Sequence, residues 1–586
     1  MALLFDSPFS EHARTNYIPS SIEKAHIAQL LATPQRQLRI LDAEVDELQR
    51  EVDKIQASKA ALDEVIEEHR RLLTPFRRLP DDVLCSIFAY CLPPQGNAVM
   101  ALCEAPLLLT RICSRWRRVA LETPYLWRSL HVAQIPSPSI YDPPTPLIET
   151  DAVDPLRPTL RAKIQAHMFA IHQWLGRAGT YPLSISIHEW INNFEAYLPV
   201  LFSFSTRWFS IRLTVYDEAT SSALACLSPS AVPLLEELHV TFSNWGSVQS
   251  HLQWERHGGI LNAPKLRFVS IHHFPLDLSV IPILDWSRLT NLVLCDTGTT
   301  ARRSSPSEAH MILSRCTRLV HLTLMVYDTS PGLWAPGYPS PTANFELPFL
   351  ESLSLNDHYY FMATLLQGIN LPSLSRVAYS TQYWPSTQRP SPLAALLFRN
   401  GGTVRHLTFD PRNLTYADLV NCFVFAPSLT HFTCRPSAIA PTHEQLVGRT
   451  TPVMVNIMRV VLRLLTPASD GECYWPRMQS IACNGPIGVD EESVLHFIHS
   501  RMKAAFSPSS SALEVLPLKE ASIGFGFMRK MDLSTLLEEY TSAGLLKLEL
   551  QDYWDIKEDA VATRGTFQPW SGVQTHLRAS FVQPPF

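Results

Sequence analysis

A chain of 586 residues is too long for one small core, so several domains or an elongated repeat array are expected. With 46% hydrophobic and 18% charged residues it reads as folded material, which excludes disorder as the bulk state. A net charge of -5 gives no strong field, which excludes general attraction to nucleic acid or anionic lipid.

The eleven cysteines are scattered with no C-x-x-C pair, and Cys295, Cys434 and Cys483 fall at apolar periodic positions, as buried free thiols in a reducing compartment would. The opening "MALLFDSPFSEHARTNYIPSS" has no sustained apolar run of signal-peptide length, and no stretch approaches eighteen uninterrupted apolar residues. The expectation is an intracellular protein, cytoplasmic and/or nuclear, with no membrane span. Asn413-Leu414-Thr415 matches a glycosylation acceptor only formally.

Residues 1–37 read as a flexible segment with a short helix, and residues 38–75 as a coiled-coil helix. Leu38, Val45, Val52 and Ile66 recur every seven residues on one line, and Leu41, Leu48, Ile55 and Leu62 on a second. Lys59 and His69 interrupt the two lines. At a rise of roughly 1.5 Å per residue the helix is about 50 Å long, and its apolar stripe needs a partner. Two are open: Ile22, Ile27, Leu30 and Leu31 before Pro34, or a second copy of the helix. Thr74-Pro75 ends it, because proline removes a donor and disfavours helix in the residue before it.

Next comes "FRRLPDDVLCSIFAYC", Phe76 to Cys91, where Val83, Leu84, Ile87, Phe88 and Tyr90 recur at helical spacing after Leu79-Pro80. A second helical pattern follows in "LLLTRICSRWRRVA", and "LETPYLWRSL" closes the segment with Leu126 and Trp127. Taken alone, "LPDDVLCSIF" also fits an ordinary capped helix start.

These three signatures in order resemble the F-box, over residues 76–132. Long helix, F-box with closing Leu-Trp, and leucine-patterned remainder together resemble a large group of F-box proteins from mushroom-forming fungi. The insertion "PPQGNAVMALCEA", Pro93 to Ala105, departs from the compact form of the motif. The resemblance implies docking on the Skp-type adaptor of a cullin-RING ubiquitin ligase through Leu79, Pro80, Val83, Leu84, Ile87 and Phe88. It also implies that Trp116, Leu126 and Trp127 serve the module's own core.

Residues 133–159 are rich in proline and small residues and read as a linker or loop. A helix is expected over Leu160–Gly179 and a strand in "YPLSISIHEW", whose Leu183, Ile185 and Ile187 alternate. After this, one pattern returns: a large apolar residue, two variable ones, an apolar one, one variable, an apolar one. It occurs at Leu235, Leu238, Val240; Leu266, Val269, Ile271; Leu289, Leu292, Leu294; Leu319, Leu322, Leu324; and Leu350, Leu353, Leu355. It continues at Leu374, Val377, Tyr379; Val404, Leu407, Phe409; Leu429, Phe432, Cys434; Met478, Ile481, Cys483; Leu513, Leu516, Leu518; and Leu545, Leu548, Leu550. An earlier degenerate copy is Trp208, Ile211, Leu213.

Intervals of mostly 23 to 35 residues suit one strand and one return segment per unit, the signature of leucine-rich repeats, so residues 160–586 are expected to form an irregular solenoid. The 49-residue interval from Leu429 to Met478 holds either an insertion or an unrecognised unit. The fold class is therefore α/β: a long helix, a small all-α module and a repeat array. Variable residues beside the pattern face the concave side, and the candidate target-binding residues are His239, Ser270, His321, Thr323, Ser354, His406, Thr408 and His431.

No catalytic constellation accompanies this. "HGG" at His257 lacks a G-x-S-x-G partner, "GFGF" at Gly524 lacks a third glycine, and His431 with Cys434, His272 with His273, and His496 with His499 have no four-ligand spacing. The expectation is a non-catalytic receptor subunit without cofactor or metal. It would have a protein target, no nucleic acid and no membrane partner. A ligase-independent scaffold with a degenerate F-box and a hidden hydrolase are the alternatives.

Overall fold

The computed structural model describes residues 8–12, 15–73, 75–94, 96–133, 157–187, 194–215, 217–242, 254, 258–272, 285–296, 306–326, 344–357, 362, 365–366, 368–381, 391–411, 414–435, 452–468, 473–483, 490–506, 515–525 and 528–552. It divides into two compact units, Met1–Leu84 and Cys85–Phe586.

The first unit is dominated by α1, Ser21–Leu72, a single helix of 52 residues. Ser20 caps it: its side chain accepts from the Glu23 backbone N–H while Glu23 accepts from the Ser20 backbone, and the Tyr17 hydroxyl donates to Glu23 at 2.8 Å. The sequence reading started the coiled-coil helix at Leu38 and kept residues 1–37 as a flexible segment with a short helix. The helix instead runs through Pro34. Proline costs one backbone hydrogen bond there, and the reciprocal cap at Ser20 sets the helix well upstream of it. This continuity removes one expected partner, since one helix cannot fold its first turns back on its later ones. The stripe Leu38, Leu41, Val45, Leu48, Val52, Ile55, Leu62 and Ile66 is exposed throughout, between 44% and 67%.

Helix α2, Asp81–Tyr90, follows a 3₁₀ turn at Pro75–Arg78, and α3 spans Ser114–Glu122. Beyond them the second unit is built on one open parallel sheet, a solenoid-like arrangement. Among the described residues fourteen strands lie side by side in chain order. They are β1 Ser129–Val132, β2 Leu183–Ile187, β3 Trp208–Val215, β4 Glu237–Phe242, β5 Phe268–His272, β6 Asn291–Asp296 and β7 His321–Val326. After a two-residue β8, Phe345–Glu346, come β9 Ser352–Asp357, a two-residue β10 Ile369–Asn370, then β11 Arg376–Thr381, β12 His406–Phe409 and β13 His431–Cys434. The last are β14 Ser480–Cys483, β15 Glu520–Phe525 and β16 Lys547–Asp552. Among the described residues β8 and β10 pair with each other and with no other strand.

Register is regular enough that pattern residues form rows. Leu130, Ile185, Ile211, Leu238, Val269, Leu292, Leu322, Leu353, Val377, Leu407, Phe432, Ile481 and Ala521 lie opposite one another from strand to strand, and all are buried. Parallel strands need a return segment between them, and among the described residues most returns contain a helix or a 3₁₀ turn. Trp475 lies 4.2 Å from the Phe423 ring of helix Tyr416–Phe425 and 5.3 Å from the Phe432 ring of β13. Cys434 of β13 meets Met458 of helix Pro452–Leu465 at 3.7 Å.

Two details depart from the sequence reading, and a third decides between its alternatives. First, the sheet begins earlier: Trp127, Leu130 and Val132 repeat the same spacing, so the closing signature of the N-terminal module also supplies β1, paired with β2. Second, the unit placed at Leu513, Leu516 and Leu518 is Leu518, Ala521 and Ile523, because β15 starts at Glu520. The small Ala521 hid it behind a more hydrophobic run; Leu513 lies outside the described residues. Third, the long interval is an insertion, since β13 pairs directly with β14.

The insertion Pro93–Ala105 has a place in this architecture. Val99 bridges His131 of β1, and the Ala98 carbonyl accepts from the His131 N–H at 2.7 Å. Asn97 donates to Ser186 at 3.0 Å and accepts from Ser184 at 2.8 Å. A bare edge strand offers unpaired backbone to other chains; these contacts occupy that edge.

Of the linker expected over residues 133–159, positions 134–156 lie outside the described residues, as do Thr74, His257, His273 and Asn413. The helix after it is α4, Arg157–Arg177.

Candidate functional site

Two surfaces hold the residues that the sequence singled out. The first is α2. Asp81 and Asp82 occupy its first turn, where negative charge suits the helix dipole, and the Leu84 N–H donates to the Pro80 carbonyl at 3.1 Å. Leu84 and Phe88 have no exposed surface, whereas Pro80 and Val83 are exposed and Leu79 and Ile87 are half-buried. The six residues expected to dock an adaptor thus divide: Leu84 and Phe88 face inward, and Leu79, Pro80, Val83 and Ile87 carry accessible surface.

Phe88 packs on the half-buried Trp116 of α3 with ring centroids 4.9 Å apart. Helix α3 starts at Cys113, whose sulfur accepts from the Trp116 N–H, and ends near Thr123, whose hydroxyl donates to Val119 at 2.6 Å and lies 3.2 Å from Cys85 of α2. Leu126 and Trp127 are fully buried. The Trp127 indole N–H donates to the Ala120 carbonyl at 2.8 Å, and its ring meets Trp174 of α4 edge-on at 4.8 Å. Trp127 therefore serves the helical module and the first layer of the sheet together.

The second surface is the sheet face opposite the leucine row. One row across it runs Glu237, Phe268, Asn291, His321, Ser352, Arg376, His406, His431, Ser480, Glu520 and Lys547. The neighbouring row runs His131, Ser186, Arg212, His239, Ser270, Val293, Thr323, Ser354, Ala378, Thr408 and Thr433. All eight candidate residues lie in these two rows. Ser270 is buried, its hydroxyl 3.2 Å from His272, so it presents little surface; the other seven are half-buried.

The histidines are the least ordinary members. His406 and His431 stack at 4.1 Å with 18° between planes, and Thr430 lies 2.8 Å from His431 Nδ1. Burial, followed by His431, Arg376 and Arg405, pushes the His406 imidazole down to about 4. Burial also lowers His431 and His321, against the opposing pull of Glu520 and Glu351 respectively. These rings are neutral at pH 7 and can donate or accept one hydrogen bond at each nitrogen. Sequence reasoning found the rows but not the stack, because the in-register pairing of β12 with β13 is what creates it.

The weak chemical fragments separate. His431 and Cys434 point to opposite faces of β13, as residues three apart on a strand must. His499 lies 3.7 Å from Glu539. Gly258 and Gly259 have positive φ and form a turn, and a side chain on Gly259 would strike the Leu224–Ala225 backbone. Burial raises the thiols of Cys316 and Cys483 to about 12. Among the described residues no three His, Cys, Asp or Glu side chains converge as metal ligands, and no helix is long and apolar enough to cross a membrane.

The F-box-like family model matches residues 76–133, the segment holding α2, α3 and β1. The chain carries an F-box-like domain there. No curated protein matches the chain.

Proposed function

We propose that this chain is a substrate-recruiting subunit of a cullin-RING ubiquitin ligase of the SCF type. The F-box-like domain binds a Skp-type adaptor, and the repeat array, read as divergent leucine-rich repeats, binds a protein target. The observation that carries the reading is the F-box-like match over residues 76–133, supported by an accessible set on α2, Leu79, Pro80, Val83 and Ile87. Half-exposed apolar anchors of this kind commonly supply most of the energy of a helix-in-groove contact.

The target face is His239, Ser270, His321, Thr323, Ser354, His406, Thr408 and His431, of which Ser270 presents the least surface. Neutral imidazoles and hydroxyls recognise a polar protein segment by hydrogen bonding, whereas a phosphate site would favour clustered arginine. The subunit acts by position: holding a target lysine near a charged ubiquitin carrier raises effective concentration without local chemistry. No side chain is assigned a role as nucleophile.

The test is co-purification of the full chain with a Skp-type adaptor beside a Val83→Asp, Ile87→Asp variant whose melting is shown to match the parent. Capture of the parent alone supports the reading. A folded parent that captures no adaptor overturns it in favour of a ligase-independent scaffold.

A further inference from the structure

We infer that α1 pairs with the α1 of a second copy of this chain as a parallel, two-stranded coiled coil. The helix presents a stripe from Leu38 to Leu73, interrupted at Lys59 and His69, whose apolar members stay at least 44% exposed at Leu38, Leu41, Val45, Leu48, Val52, Ile55, Leu62, Ile66 and Leu73. That is five heptads, beyond the three or four at which a sustained pattern signals a coiled coil.

The choice of residues selects the partner. Val45, Val52 and Ile66 are β-branched on the line that begins at Leu38, and Leu41, Leu48 and Leu62 occupy the other. β-branched residues on the first line with leucine on the second favour two parallel strands. Leu38, Lys59 and Leu73 on the first line and Ile55 and His69 on the second depart.

Charge gives the same answer independently. In a parallel pair the flanking positions five residues apart meet across the seam: Gln37 with Asp42, Glu44 with Gln49, Glu51 with Gln56, Ser58 with Asp63. No like charges face each other at these flanking positions, whereas Lys59 meets its own copy within the seam. An antiparallel overlap of the same seam sets Asp42 against Asp63 of the second copy, a like-charge contact at both ends. Lys59, the one charge on the first line, stacks on itself in the parallel pair. A single lysine there lowers stability while fixing register and strand number, and its long stem carries the ammonium to the edge of a two-stranded seam.

The consequence is bivalency. In a parallel pair both chains enter their F-box-like domains from the same end of the coil, so a partner with two sites meets two receptors at high effective concentration. The inference does not depend on the adaptor reading.

Mass measurement of the full chain by light scattering at micromolar concentration tests it, with twice the 66.1 kDa chain mass expected. A Leu48→Asp, Val52→Asp variant should return the single-chain mass while keeping its melting transition and any adaptor capture. Leu41→Cys should form a covalent dimer under mild oxidation where the parent does not. A parent of single-chain mass, or a dimer that survives the double variant, overturns the pairing. Cross-linking that requires Leu41→Cys to be mixed with Ile66→Cys overturns the parallel arrangement.

Discussion

His406 of β12 and His431 of β13 stack face to face with centroids 4.1 Å apart, on the polar side of a sheet whose other side is apolar. Both imidazoles are held below their ordinary value of 6.5, His406 at about 4, first by burial and, at His406, next by His431. Arg376, Arg405 and Lys519 oppose protonation, and Glu520 favours it at His431.

A folded-state value below the unfolded one means that the unfolded chain takes up the proton first. Stability therefore falls as pH drops from about 6.5 towards about 4 and is fully present above that window. The thermal midpoint of the parent should decline between pH 7 and 5. His406→Phe with His431→Phe keeps stacked rings without titration, and its midpoint should decline less steeply. Parallel slopes for parent and variant would show that other groups dominate.

Leu84 and Val83 are adjacent on α2 yet differ fully in exposure: 0% against 38%. Leu84→Ala should lower stability by about 2–5 kcal/mol, as removal of a buried leucine does. Val83→Ala should stay within about 0.5 kcal/mol, as exposed substitutions do. Urea unfolding followed by circular dichroism reads both. For the same reason Leu84→Asp is unsuitable as a docking probe, because it buries an unpaired carboxylate.

Arg501 is fully buried and donates to the carbonyls of Leu465, Trp475, Pro476 and Met478 at 2.9 to 3.4 Å. It ties the end of helix Pro452–Leu465 to the turn that leads into β14. Arg501→Met takes the donor from the Leu465 and Met478 carbonyls, at about 1–3 kcal/mol for each one left buried and unpaired, while Trp475 and Pro476 still accept from the Met478 and Leu516 backbone. Arg501→Lys should recover only part, since an ammonium lacks the planar fork. Melting midpoints in the order parent, lysine, methionine are expected.

Gly401 and Gly402 offer a matched pair. A side chain on Gly401 would strike the carbonyls of Phe425 and Leu397, whereas Gly402 faces open space. Backbone atoms cannot yield as a flexible side chain can, so Gly401→Ala should cost about 1–3 kcal/mol. Gly402→Ala should be within about 0.5 kcal/mol of the parent. Equal midpoints would mean that helices Pro392–Asn400 and Tyr416–Phe425 approach less closely than this.

The repeat rows and the three helical signatures of Phe76 to Leu130 were legible because their signals are local. Alternation along a strand fixes which residues share a face, and a Leu-Pro turn followed by helical spacing marks a helix start, whatever lies beyond. Three things needed the tertiary structure. Trp127, Leu130 and Val132 are a strand only because β2 supplies the hydrogen-bonding partner, so the same residues read as the end of a helical module until the sheet is present. Pro34 lies inside α1, which the sequence reading began only at Leu38, and the helix accommodates it at the cost of one backbone hydrogen bond. On α2, periodicity shows one broad apolar face, whereas packing decides which part of that face is covered: Phe88 meets Trp116, while Val83 stays in water. Burial belongs to a residue's neighbours in space, and only folding brings those neighbours together.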